Sequence, residues 1–163
     1  MKRVLWFFAP LVFLCALAGC SKPGTNSQSV DLAALRTSMI EADDSLPNML
    51  VASSESDQGD QFQYLFAETP YQAVAQYFFA YSSTGTADEL AVIQLKDPAD
   101  VTTAEASLQK HVQERVKLFS SYKPEEAKRA EAAVVYHKGP YAILIMCDNP
   151  NSVKTAVDQA ISD

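Results

Sequence analysis

The side chains that could do acid–base or nucleophilic chemistry are few. His111 and His137 are the histidines, and Cys15, Cys20 and Cys147 are the cysteines. No His-Glu-x-x-His, Gly-x-Ser-x-Gly, Cys-x-x-Cys or phosphate-binding glycine loop occurs. A Cys147–His137 dyad fails on distance. The chain turns at Lys138-Gly139-Pro140, which sets His137 near Tyr141 and Cys147 near Glu131 on two paired strands. Six positions at about 3.3 Å each hold thiol and imidazole ~20 Å apart. His111 lies beside Leu108 and Val112 at the edge of a helical stripe and reads as a surface or boundary residue. Asp88 and Glu89 are adjacent carboxylates at a strand start. Their side chains diverge, which suits a polar turn rim better than an acid/base pair. Glu55, Asp57 and Asp60 lack the Asp-x-Asp-x-Asp-Gly spacing of a calcium loop. The expectation is a chain that is not an enzyme and takes no metal or cofactor.

Cys20 is the cysteine with a chemical fate. Lys2 and Arg3 open the chain, and Val4 to Ala18 is almost wholly apolar. Leu17-Ala18-Gly19 then ends in small residues directly before Cys20. A basic start, a short apolar run and a small-residue cut site describe an export signal. The run is about 15 residues, short of the ~20 that a membrane-spanning helix needs. Leu17-Ala18-Gly19-Cys20 resembles the lipobox of bacterial lipoproteins, in which the cysteine after the cut is acylated. Each buried acyl CH₂ contributes about 0.8 kcal/mol, so two or three chains hold a protein on a membrane for its lifetime. The expected location is the outer face of the cell membrane, through a lipid-modified Cys20. A signal cut without lipidation is the alternative.

Charge narrows the partners. Loss of Lys2 and Arg3 with the signal leaves 11 of the 13 basic residues against 20 acidic ones, a formal net of −9. An acidic chain without a basic cluster is a poor match for nucleic acid or an anionic lipid surface. The lipid anchor provides the membrane contact, and an envelope protein or a cell-wall ligand is the expected partner. Only Cys147 remains as a free thiol in the mature chain, so no internal disulfide can form. Its setting after Ile143-Leu144-Ile145-Met146 reads as a buried strand end.

The elements that must position these groups follow in order. Residues 1–19 are the signal, 20–30 the lipidated cysteine and a flexible polar tether, and 31–163 a single domain. The tether spans about 17 Å. Leu32, Leu35, Met39, Ala42 and Leu46 recur at helical spacing, so an amphipathic helix is expected over 31–46, capped by Asp31 and stopped by Pro47. Residues 52–60 read as a polar acidic loop. Phe62, Tyr64, Phe66, Tyr71, Tyr77, Phe78, Phe79 and Tyr81 are eight of the twelve mature aromatics. They must supply much of the core, as a short helix near Phe62 and a strand from Ala75 to Ser83. Tyr64, Tyr71, Tyr77 and Tyr81, with Asp88 and Glu89, are the candidate binding residues if this segment lines a groove. Glu89–Lys96 is a strand. Asp97-Pro98 caps a long helix to about residue 120, and Pro124-Glu125-Glu126 starts a shorter one. Glu131–His137 and Tyr141–Cys147 form a hairpin, and Asn149-Pro150 opens a last helix.

An offset of 52 positions lays Leu90–Pro98 on Ala142–Pro150, Val101 on Val153 and Ala104 on Ala156. This internal echo predicts an α+β fold: a ββαββα core, a possible duplication. Its sheet has four mainly antiparallel strands, with helices on one face and the N-terminal amphipathic helix added. On that reading Ala91, Ile93 and Leu95 share the helix-covered face with Ile143, Ile145 and Cys147.

From about Tyr71 onward the chain resembles the bacterial lipoprotein family called domain of unknown function 4358. Ser82-Ser83-Thr84-Gly85-Thr86-Ala87-Asp88-Glu89-Leu90-Ala91-Val92, then Lys96-Asp97, Phe119-x-x-Tyr122-x-Pro124-Glu125 and Gly139-x-Tyr141 carry it. The resemblance implies a small α+β domain on a lipid anchor and assigns no activity. A non-catalytic binding or interaction module of the envelope is therefore the leading reading. An accessory or assembly subunit of a membrane complex comes second, and a hydrolase with an unrecognised site third. A pocket lined by the four tyrosines favours the first, and a closed surface there favours the second.

Overall fold

A computed structural model describes residues 30–57 and 59–162. The expected signal, Cys20 and the tether up to Ser29 lie outside the described residues.

Helix α1 (Leu32–Glu41) starts where Asp31 caps it, accepting from the amides of Ala33 and Ala34 at 2.9 and 3.1 Å. Leu32, Leu35 and Met39 form its buried stripe. The helix stops at Glu41, five residues before the expected end. Asp43 is the reason. Its carboxylate turns inward, 2% exposed. It accepts from the amide and hydroxyl of Ser45 and from the amide and side chain of Asn149. A helical path through Asp43 would lose those four bonds.

The sheet has five strands, β1 (Met49–Ser53), β2 (Val74–Ser82), β3 (Glu89–Leu95), β4 (Val134–Lys138) and β5 (Tyr141–Met146). Their order is β1-β2-β3-β5-β4, and every pairing is antiparallel. The expected four-stranded sheet thus gains an edge strand. β1 takes in Ala52 and Ser53, which read as loop. Its register on β2, from Met49 opposite Ser82 to Ser53 opposite Phe78, supplies the order that its own five residues lack.

Helices cover both faces, and the last helix lies with α1 on the face opposite the long helix instead of beside it. On one side lie α2 (Asp60–Leu65), α3 (Val101–Ser120) and α4 (Pro124–Glu131); on the other lie α1 and α5 (Pro150–Ala160). The register explains the correction. Ala91 faces Leu144 and Ile93 faces Ala142. Facing residues of paired strands share a side, and each such pair here joins an odd number to an even one. An even offset therefore puts echoed positions on opposite sides. Ala91, Ile93 and Leu95 pack with Ala142, Leu144 and Met146 in the core that α3 covers. Leu90 and Val92 pack with Ile143, Ile145 and Cys147 in the core that α1 and α5 cover.

The aromatic segment supplies the α3-side core. Phe62 meets Tyr77 at 4.8 Å and Phe66 meets Phe79 at 5.6 Å, both edge-to-face. Gly59 enters α2 at φ 101°, and a Cβ there would stand 2.5 Å from the Tyr71 ring. Glycine is needed at this position for both reasons.

Candidate functional site

Two ionic groups gather at the end of the sheet where β3 begins. The first is built on Glu89, the opening residue of β3. It alternates with Ala91 and Ile93, so it points under α3. Its Oε2 is 2.6 Å from His111 Nε2, and its Oε1 is 2.7 Å from Arg115 Nε. The Arg115 N–H is not aimed along that line, so the contact is an ion pair without an aligned hydrogen bond. Glu89 and His111 are 2% and 6% exposed. The expected boundary position of His111 is corrected: it is a core residue. Ala104, Leu108 and His111 lie on one helical stripe, and the rings of Phe66 and Phe79 stand 5.4 and 5.7 Å from the imidazole.

The second group is built on Arg129 of α4. Its Nε and Nη2 donate to the two oxygens of Asp148 at 2.9 and 3.1 Å. Its Nη1 pairs with Glu126 and lies 3.5 Å from Asp88 Oδ2. Glu126 also accepts from the amide of Ala87 at 2.8 Å, and Lys123 Nζ donates to the carbonyl of Gly85. The turn between β2 and β3 is thereby fastened to the start of α4. Within that turn the Thr86 hydroxyl donates to Asp88 at 2.5 Å and sits 2.7 Å from Ser82 Oγ. Burial pushes the Asp88 carboxyl above its usual range. Thr86 and Arg129 oppose that rise, while Glu126 and Asp148 add to it. The side chains of Asp88 and Glu89 do diverge, into these two separate groups. Both are buried, however, so neither forms an exposed turn rim.

The tyrosines do not converge. Tyr64 is 87% exposed on α2. Tyr77 is buried and donates its hydroxyl to Asp57 at 2.5 Å. Tyr71 packs against Phe62 and Tyr77, and Tyr81 stacks on Phe79 at 5.3 Å. Asp57, read as loop, also receives the amides of Gln61 and Phe62 at the start of α2. Burial would raise its carboxyl, but Tyr77 and these amides outweigh that and hold it low.

Cys147 is buried, and its thiol is pushed up to about 12 by burial and by the Asp43 carboxylate. His137 lies opposite Ala142 and pairs with Glu105, at the other end of the hairpin from Cys147. Among the described residues no three His, Cys, Asp or Glu converge to hold a metal. A cleft of about 300 Å³ opens between the first turns of α1 and the β1–β2 edge, lined in part by Asp31, Arg36, Glu55, Gln76, Tyr77 and Phe78. Of the four candidate tyrosines, only Tyr77 lines it.

The arrangement fastens layers together. The stretches 82–92 and 119–125 that carry the family resemblance meet at the second ionic group. The chain matches the model of the family described as domain of unknown function (DUF4358) over residues 57–147, more than half its length, and belongs to that family. No curated protein and no solved structure matches it.

Proposed function

We propose that the chain is a lipid-anchored protein on the outer face of the cell membrane, held by acylated Cys20, and that its folded part is a non-catalytic binding module of the envelope. The way the fold begins supports this reading. Val30 is held by the Tyr141 hydroxyl at 3.2 Å and by the Gln76 side chain at 3.3 Å. The domain is thus fixed ten residues after Cys20, one short tether from the membrane. The groups most suited to acid–base chemistry, Glu89 and His111, are engaged with each other inside the core. Intact-mass spectrometry of the membrane-extracted protein tests the anchor. Diacylglycerol mass on Cys20, and release of Cys20→Ala into the medium, are expected. An unmodified Cys20 overturns the reading.

An accessory subunit of a membrane complex is the second reading. The open edge of β1 favours it, where Leu50 and Val51 are 46% and 39% exposed. Co-purification with membrane subunits, lost in Leu50→Lys, would decide for it.

A further inference from the structure

The cleft beside α1 carries two charges of opposite sign that find no partner among the described residues. Arg36 lines it from α1, and Glu55 lines it from the turn after β1. Among the described residues neither reaches an opposite charge within ion-pair distance, and neither side chain makes a hydrogen bond. The other acid in the cleft, Asp31, accepts two amides on Oδ1 as the cap of α1. Glu55 is the carboxylate there with neither oxygen hydrogen-bonded among the described residues.

The walls are set in advance. Gln76 donates to the carbonyl of Val30 and, at 2.6 Å, to Gln94. Ser54 accepts the amide of Tyr77 at 2.7 Å. Leu32 and Phe78 give the cleft an apolar side. The lining is about half polar, which suits a charged ligand, and about 300 Å³ is the lower end of the size range of small-molecule sites.

We propose that this cleft binds a small zwitterion, a free amino acid or a dipeptide. Its carboxylate lies on the Arg36 guanidinium and its ammonium on the Glu55 carboxylate. A guanidinium fork matches a carboxylate in two parallel hydrogen bonds. The volume sets the upper limit of size. The proposal deepens the binding-module reading and rests on it by naming the ligand class.

The test titrates the chain from residue 20 onward with Ala-Ala, followed by amide NMR shifts at Ala33, Arg36, Ser54 and Gln76. Saturable shifts are expected. N-acetyl-Ala-Ala and Ala-Ala-amide should each bind about tenfold more weakly, since each removes one charge-assisted contact. In Arg36→Gln, Ala-Ala and its amide should bind alike. In Glu55→Gln, Ala-Ala and its acetylated form should bind alike. Unshifted amides elsewhere show that both variants stay folded. No saturation by about 10 mM, a Kd weaker than any specific site would show, overturns the proposal. Equal binding of all three peptides to the unaltered chain does the same. The titration needs no membrane, so its failure would leave the anchor at Cys20 standing.

Discussion

Asp43 and Asn149 stand 106 positions apart and meet through two hydrogen bonds, 2.9 Å from the Asn149 amide and 2.8 Å from its side chain. They join the end of α1 to the start of α5, the two helices on one face of the sheet.

Asp43→Asn should lower stability by about 2–3 kcal/mol, since a buried charge-assisted set loses its acceptor. Burial would raise the Asp43 carboxyl, but the bonds from Ser45 and Asn149 hold it well below the usual carboxylate range. A carboxyl depressed in the folded state stabilises above its unfolded value of 3.8, and that contribution fades as pH falls toward the folded value. Urea unfolding of both proteins should show a constant gap from about pH 7 to 5 that narrows below about pH 4. A gap that widens with acid would contradict the assignment.

Glu89→Ala should cost about 3–5 kcal/mol, because it leaves His111 and Arg115 facing a buried void. His111→Ala should cost less than that in the Glu89→Ala background. The cost of His111→Ala in the unaltered chain minus its cost in the Glu89→Ala background, from a double-mutant cycle, measures their coupling. Additive effects would mean that the 2.6 Å contact is energetically idle.

Gly59→Ala should destabilise by about 1–3 kcal/mol, from positive φ and the approach to Tyr71. Amide exchange in α2 should rise more than in α5. Unchanged exchange in α2 would show that the Tyr71 ring simply moves aside.

Cys147 should react slowly with maleimide at pH 8 in the native protein, at a rate that follows unfolding. Its thiolate is disfavoured by burial and by Asp43. Fast labelling at zero denaturant would mean that the β5 end opens locally.

The helix starts were the most legible part of the chain, although Asn149 turns its side chain to Asp43 and does not cap α5. Asp31 marked the start of α1, Asp97-Pro98 led into α3, and Pro124 and Pro150 opened α4 and α5. Each is a local signal with a local cause. β1 was not legible, because pairing with β2 orders it and its own pattern does not. The assignment of faces failed for a similar reason. It depends on the register of β3 on β5, strands that no tight turn connects. The site was half visible. Glu89 alternates with Ala91 and Ile93, and His111 falls seven positions after Ala104, a spacing that points both inward and that the readings of a turn rim and a boundary histidine passed over. That they point at each other depends on how α3 lies across the sheet. Arg36 and Glu55 gave no signal, since their relation exists only across the cleft.

Asp148 and Asn149 are neighbours, yet Asp148 is tied to Arg129 on the α4 side and Asn149 to Asp43 on the α1 side. One dipeptide thus rivets three layers through the end of β5. Neither helical layer can peel away alone without breaking the rivet, so hydrogen exchange in α4 and in α1 should rise in step as the protein is warmed.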